Sequence, residues 1–194
     1  MTDVFIALNA PLRPLDRGER FEDPLVEILE GKFREVEVTG GGTLLSAKKS
    51  PSTCDIDLVV KGNANEVLAA VVAALERLGV PKGSSVRVAA GRSLFSRTGK
   101  ELVAKVGVTE GLGIYLNGTD LPAEVYESND INELIARLDA ALGAEGEMYS
   151  YWEGPTETAL YYYGPSAQRM RELVVDVLGT HPLAERSRVE ALTP

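Results

Sequence analysis

The segment Ile6-Ala7-Leu8-Asn9, followed by Pro11 and Leu12, returns as Ile114-Tyr115-Leu116-Asn117, followed by Leu121 and Pro122. An apolar strand pattern ending in asparagine therefore occurs twice, and the residues after each copy follow one plan. In the first, Val4 to Asn9 is an apolar run of strand length, and Asp23-Pro24 supplies an N-cap with proline at the first helical position before Leu25, Ile28 and Leu29. Gly31 ends that helix. Arg34 to Val38 and Asp55 to Leu58 then alternate polar with apolar residues, the period of strands with one covered face, on either side of a glycine-rich connection. Asn63 or Asn65 caps a helix whose Val67, Val71, Leu75 and Leu78 form an apolar stripe stopped by Gly79 and Pro81, and Ser85 to Val88 closes the unit.

The second copy opens with a strand at Gly113 to Asn117 and continues with a helix capped by Asp130, with Ile131, Leu134, Ile135, Leu138 and Leu142 on one side. Glu147 to Glu153 and Glu157 to Tyr163 form a hairpin around Gly154-Pro155. Met170, Leu173, Val174 and Val177 recur at helical spacing after Ser166, and Ser187 to Leu192 is the last strand. An order of β-α-β-β-α-β read twice predicts an α+β fold, a tandem duplication of ferredoxin-like units, each an antiparallel sheet with its helices on one face. The units are expected at 1–90 and 111–194, with 91–110 as a linker or an extra hairpin. Arg13 to Asp23, with its mixed charges and Pro14, reads as a long loop.

With 194 residues, 44% of them apolar, the chain can fill a real core. Its start carries no basic region before an apolar run, and no stretch approaches the roughly 20 apolar residues of a membrane span, so a cytoplasmic protein away from membranes is expected. One cysteine and one histidine exclude a disulfide framework and a zinc site of the usual Cys/His type. A net charge of −9 with scattered Lys and Arg argues against nucleic acid and in favour of a basic protein partner. The chain is expected as a monomer or homodimer.

Alternation also divides the faces. If Val36, Val38, Ile56 and Leu58 point to the helices, then Glu35, Glu37, Asp55 and Asp57 share the open face of the first sheet. In the second unit the same parity sets Tyr149 and Tyr151 against Met148, Ser150 and Trp152, and Tyr161 and Tyr163 against Leu160 and Tyr162. These features predict a non-enzymatic binding protein of immunity or inhibitor type, without a cofactor. Glu35, Glu37, Asp55 and Asp57 would steer a basic partner, and Tyr149, Tyr151, Tyr161 and Tyr163 would anchor it. A small-molecule regulatory domain is an alternative, because fused units of this kind can hold ligands between them. Cys54 is expected to serve packing and His181 to interact with the end of the preceding helix.

A further alternative comes from Gly40-Gly41-Gly42-Thr43 followed by Cys54-Asp55-Ile56-Asp57-Leu58-Val59-Val60, which resembles the signature of the DNA polymerase β-like nucleotidyltransferases. The resemblance implies a glycine-rich turn, Gly41, Gly42 and Thr43, on a triphosphate, and Asp55 and Asp57 on Mg2+. Carboxylates two apart on a strand project to one side, as two-metal phosphoryl transfer requires. The third carboxylate of that family has no counterpart: the chain offers Val86-Arg87-Val88, which would set an arginine against the two aspartates.

Overall fold

The computed structural model describes residues 1–46, 50–90 and 101–192. The chain divides between Val108 and Thr109 into two compact units. Unit 1 runs β1 (Thr2–Leu8), α1 (Pro14–Arg17), a π-helical turn (Gly18–Glu22), α2 (Asp23–Glu30), β2 (Val36–Leu45), β3 (Pro51–Val60), α3 (Ala64–Arg77), β4 (Ser84–Ala90) and β5 (Glu101–Val106). Its antiparallel sheet has the order β2-β3-β1-β4-β5. Unit 2 runs β6 (Glu110–Asn117), α4 (Ala123–Ser128), α5 (Ile131–Leu142), β7 (Glu147–Glu153), β8 (Glu157–Gly164), α6 (Ala167–Thr180) and β9 (Arg188–Leu192), with the order β7-β8-β6-β9. Counted within each unit, both sheets are ordered second, third, first, fourth. The fold is a tandem pair of ferredoxin-like α+β units, with an edge strand, β5, added to the first.

Each sheet buries one face under two helices that also pack on each other, α2 with α3 and α5 with α6. In unit 1, Val4, Ile6 and Leu8 of β1 stand opposite Leu58, Ile56 and Cys54 of β3, and all six are buried. In unit 2, Ile114 and Leu112 of β6 stand opposite Leu160 and Tyr162 of β8, over Leu134, Leu138, Met170 and Val174 of the helices. Burial of side chains of this size stabilises by about 1.5–3 kcal/mol each before conformational entropy is charged. The caps are specific: Asn63, Asp130 and Ser166 accept hydrogen bonds from the N–H groups of Asn65, Asn132 and Arg169.

Three expectations are corrected. Helix starts at Pro14 instead of Asp23, so the charged segment is helical and buries Phe21. The Asp23 N–H donates to the Gly18 carbonyl, five residues back, and that wide turn gives room to the ring of Pro24, which would otherwise meet the carbonyl four residues before it. Gly40, Gly41 and Gly42 are not a connection. They lie inside β2, opposite Asp57, Ile56 and Asp55, beyond a bulge between Val38 and Gly40. Of the stretch expected as a linker or an extra hairpin, residues 101–106 form β5 antiparallel to β4, while 91–100 lie outside the described residues. Last, a bulge between Met148 and Ser150 shifts the register at Tyr149.

Candidate functional site

The face of sheet 1 turned away from its helices is read from the cross-strand pairs, because directly opposed residues project to the same side. Asp55 and Asp57 of β3 stand opposite Ala7 and Phe5 of β1 and opposite Gly42 and Gly40 of β2. Glu37 stands opposite Val59, and Asp3 shares that pair on β1. Glu35 lies just before β2, its carbonyl accepting from the Lys61 N–H and its carboxylate paired with the Lys61 ammonium. Glu35, Glu37 and Asp55 are exposed, and Asp57 and Asp3 are half-buried. Among the described residues Glu37, Asp55 and Asp57 have no ion-pair partner, so their charge reaches solvent unneutralised.

Glycine shapes this row. A Cβ at Gly40 would lie 3.4 Å from Asp57 Oδ2, and one at Gly42 would lie 3.3 Å from Asp55 Oδ1. The two carboxylates therefore lean over the bare backbone of β2. Gly41 has the opposite orientation: a Cβ there would come within 2.7 Å of the Asp55 carbonyl and 3.3 Å of the Arg17 guanidinium. Arg17 in turn donates to Glu22 at 3.3 Å. Toward the other edge, β1 separates Arg87 from the aspartates. Arg87 lies over the Phe5 ring, 5.6 Å from its centroid, and 3.8 Å from Glu101. Arg87 thus shares the open face with Asp57, both standing opposite Phe5, but lies one strand away, so the expected placement of an arginine directly against the two aspartates is corrected.

This geometry also bears on the triphosphate reading. Gly41, Gly42 and Thr43 run as extended edge strand in register with Ile56, Asp55 and Cys54, so their N–H groups alternate between β3 and the open edge and do not converge as a phosphate cradle does. Thr43 Oγ1 donates to the Leu12 carbonyl instead. Among the described residues no group of three or more His, Cys, Asp or Glu side chains is placed to hold a metal ion. Cys54 is buried on the helix side, where burial pushes its thiol up to about 12 against the opposing pull of Arg17, which leaves it a poor nucleophile.

In unit 2 the register shift changes which aromatics keep company. Tyr161 and Tyr163 stand opposite Gly113 and Gly111, away from the helices, and Tyr149 stacks on Tyr163 with centroids 4.6 Å apart. Past the bulge, Tyr151 stands opposite Leu160, which faces the helix-side core, and Trp152 takes the place expected for Tyr151. Tyr149, Tyr161 and Tyr163 are 8%, 2% and 2% exposed and are packing residues, whereas Tyr151 is 38% exposed. The expected four-tyrosine anchor is therefore not one surface. Tyr115 meets Tyr161 edge-on at 6.3 Å and carries the Arg188 guanidinium 3.7 Å above its ring, while Arg188 donates to Glu157 at 2.9 Å and to Glu190. The sequence did not single out Arg188, which nothing in periodicity distinguishes from other surface arginines. His181 caps the turn after α6, its Nδ1 accepting from the Leu183 N–H at 3.3 Å.

Burial pushes the phenols of Tyr161 and Tyr162 above the ordinary range, and the charge and hydrogen bond of Asp139 add to the effect at Tyr162. Above pH about 10 the unfolded chain releases these protons and the folded chain keeps them, so their contribution is complete below that pH and is lost as pH rises. Stability is expected to be flat from neutral pH to about pH 8, to begin falling as the unfolded chain ionises Cys54, and above about pH 10 to fall by a further roughly 1.4 kcal/mol per pH unit for each phenol. Urea midpoints across the alkaline range check this, and a flat curve to pH 11 would contradict the burial of both rings.

Among the described residues no helix is long and apolar enough to cross a membrane. No protein-family model and no curated protein matches the chain. Among solved structures it is similar to an unknown protein from Galdieria sulphuraria, at 14% identity over 98% of this chain and 95% of that one, with a TM-score of 0.28. It is similar to the ligand-free regulatory subunit of aspartate kinase from Thermus thermophilus, at 15% identity over 92% of each chain, with a TM-score of 0.25. A chlorite dismutase from Candidatus Nitrospira defluvii is similar at 11% identity over 100% of this chain and 91% of that one, with a TM-score of 0.30. These likenesses carry no statement about function. The fold assignment rests on the strand order and helix placement above.

Proposed function

We infer that the chain is a non-enzymatic cytoplasmic binding protein that receives a basic protein partner on the open face of unit 1. The observation that carries this reading is the row Glu37, Asp55 and Asp57, on one sheet face and without ion-pair partners among the described residues. A row of like charge held on one sheet face favours steering: long-range attraction raises the association rate, and the partner's cations offset the repulsion within the row. Glu35 contributes less, because Lys61 already neutralises it.

The test measures association with an immobilised lysine-rich peptide as a function of ionic strength. The rate is expected to fall at least about tenfold between about 20 and 200 mM salt. Asp55→Asn with Asp57→Asn is expected to remove most of that dependence. Glu124→Gln with Glu127→Gln, the same charge change on exposed α4, is expected to leave it. Equal behaviour of the two double variants would mean that net charge alone, and not this face, drives binding.

A second reading, response to a small molecule, is favoured by a cleft of about 630 Å³ in unit 2, lined by Asp139, Gly143, Gly146, Glu147, Met148 and Tyr163. It requires thermal stabilisation by a metabolite with little sensitivity to salt, the opposite signature to that of the acidic face.

A further inference from the structure

β2 is the edge of sheet 1, with no strand on its outer side among the described residues. Between its two register shifts, from Gly40 to Leu44, it runs in regular ladder with neither charge nor proline, two of the protections of an edge. Val38, Leu44 and Leu45 are 37%, 65% and 54% exposed along it. The glycines at 40 and 42 leave Asp57 and Asp55 leaning over the edge strand with no side chain between them and the outside.

We propose that the partner of this face is an extended basic segment that adds to the free edge of β2 as a further strand, with Lys or Arg two residues apart opposite Gly40 and Gly42. The proposal rests on the acidic-face reading and specifies the form its partner takes. Residues opposed across a sheet share a face, so side chains opposite Gly40 and Gly42 rise beside Asp57 and Asp55. A long basic stem can lie across the bare glycine and bring its charged head to the carboxylate. Main-chain hydrogen bonds along β2 supply affinity, and the spacing of the two cations supplies selectivity. A second copy of this chain does not suit the edge. Pairing β2 with β2 would bring two acidic rows together, in a molecule of net charge −9.

The test uses three blocked peptides of one composition, titrated into the whole protein by calorimetry. One alternates lysine with threonine and valine, one groups its lysines, and one alternates them but carries N-methyl groups on every second amide. The alternating peptide is expected to bind about tenfold more tightly than either other. Gly42→Thr is expected to remove that preference by blocking the path to Asp55, while the melting temperature holds or rises because threonine favours strands. If Gly42→Thr does not fold, the three peptides on the natural chain decide the matter. Equal binding of all three overturns strand addition and leaves the acidic face as a charge-only site. Absence of binding by any of them sinks both readings. A dimer in sedimentation that the alternating peptide does not dissociate overturns the choice of occupant.

Discussion

Reversing the two aspartates together, Asp55→Lys with Asp57→Lys, is expected to weaken binding of a basic partner about a hundredfold at low salt, because two attractions are lost and two repulsions created. Little folding energy should accompany the change. Asp55 is exposed, and the cross-strand neighbours of the two positions on β1, Ala7 and Phe5, carry no charge that would repel lysine. On β2 the neighbours are glycines, which leave the longer stems room. Raising the salt should narrow the gap between variant and natural chain, since screening weakens both the lost attraction and the new repulsion. A variant that binds as tightly as the natural chain, with an unchanged melting curve, would remove this face from the account.

The largest effect on stability is expected at Tyr162. Its ring is fully buried on the helix side of β8, opposite Leu112 and Met148, and its hydroxyl donates to Asp139 of α5 at 3.1 Å. Tyr162→Ala removes the largest fully buried side chain and opens a cavity walled by β-sheet and two helices, at a cost of about 3–5 kcal/mol. Tyr162→Phe keeps the ring and loses only the hydrogen bond. Asp139 is exposed and water can replace the lost donor, so the cost falls to about 1 kcal/mol. Urea unfolding of both variants checks the pair. A loss below about 1 kcal/mol for the alanine would mean that this core is far looser than its burial indicates.

The duplication was legible because its two copies keep the elements that burial and capping demand. The Ile-x-Leu-Asn strands and the caps at Asn63 and Asp130 each have a local chemical reason. The positions of the acidic residues were legible for a related reason: Cys54, Ile56, Leu58 and Val60 are buried in strict alternation, which fixes where Asp55 and Asp57 must stand. What failed lacked such a signal. Three consecutive glycines mark a turn and a bare edge strand equally well, and only the ladder to β3 decides between them.

The start of helix at Pro14 was hidden by a charged stretch with little apolar periodicity, interrupted by a π turn that changes the spacing before Phe21. At Tyr149 one extra residue in β7 reverses the parity of everything after it. No side chain near it announces a bulge, so Tyr151 and Trp152 exchanged faces between expectation and structure. The aromatics were therefore recognised as a group but assigned the wrong role, since three of them pack inside the protein.

The most direct test of the central claim, that the open face of unit 1 is the binding surface, is residue-resolved NMR of the labelled chain during titration with the alternating lysine peptide at low salt. The account predicts that amide shifts concentrate at Glu37, Gly40 to Thr43 and Asp55 to Asp57, and that they collapse when salt is raised. Shifts confined to unit 2, or to the helices of unit 1, would contradict it.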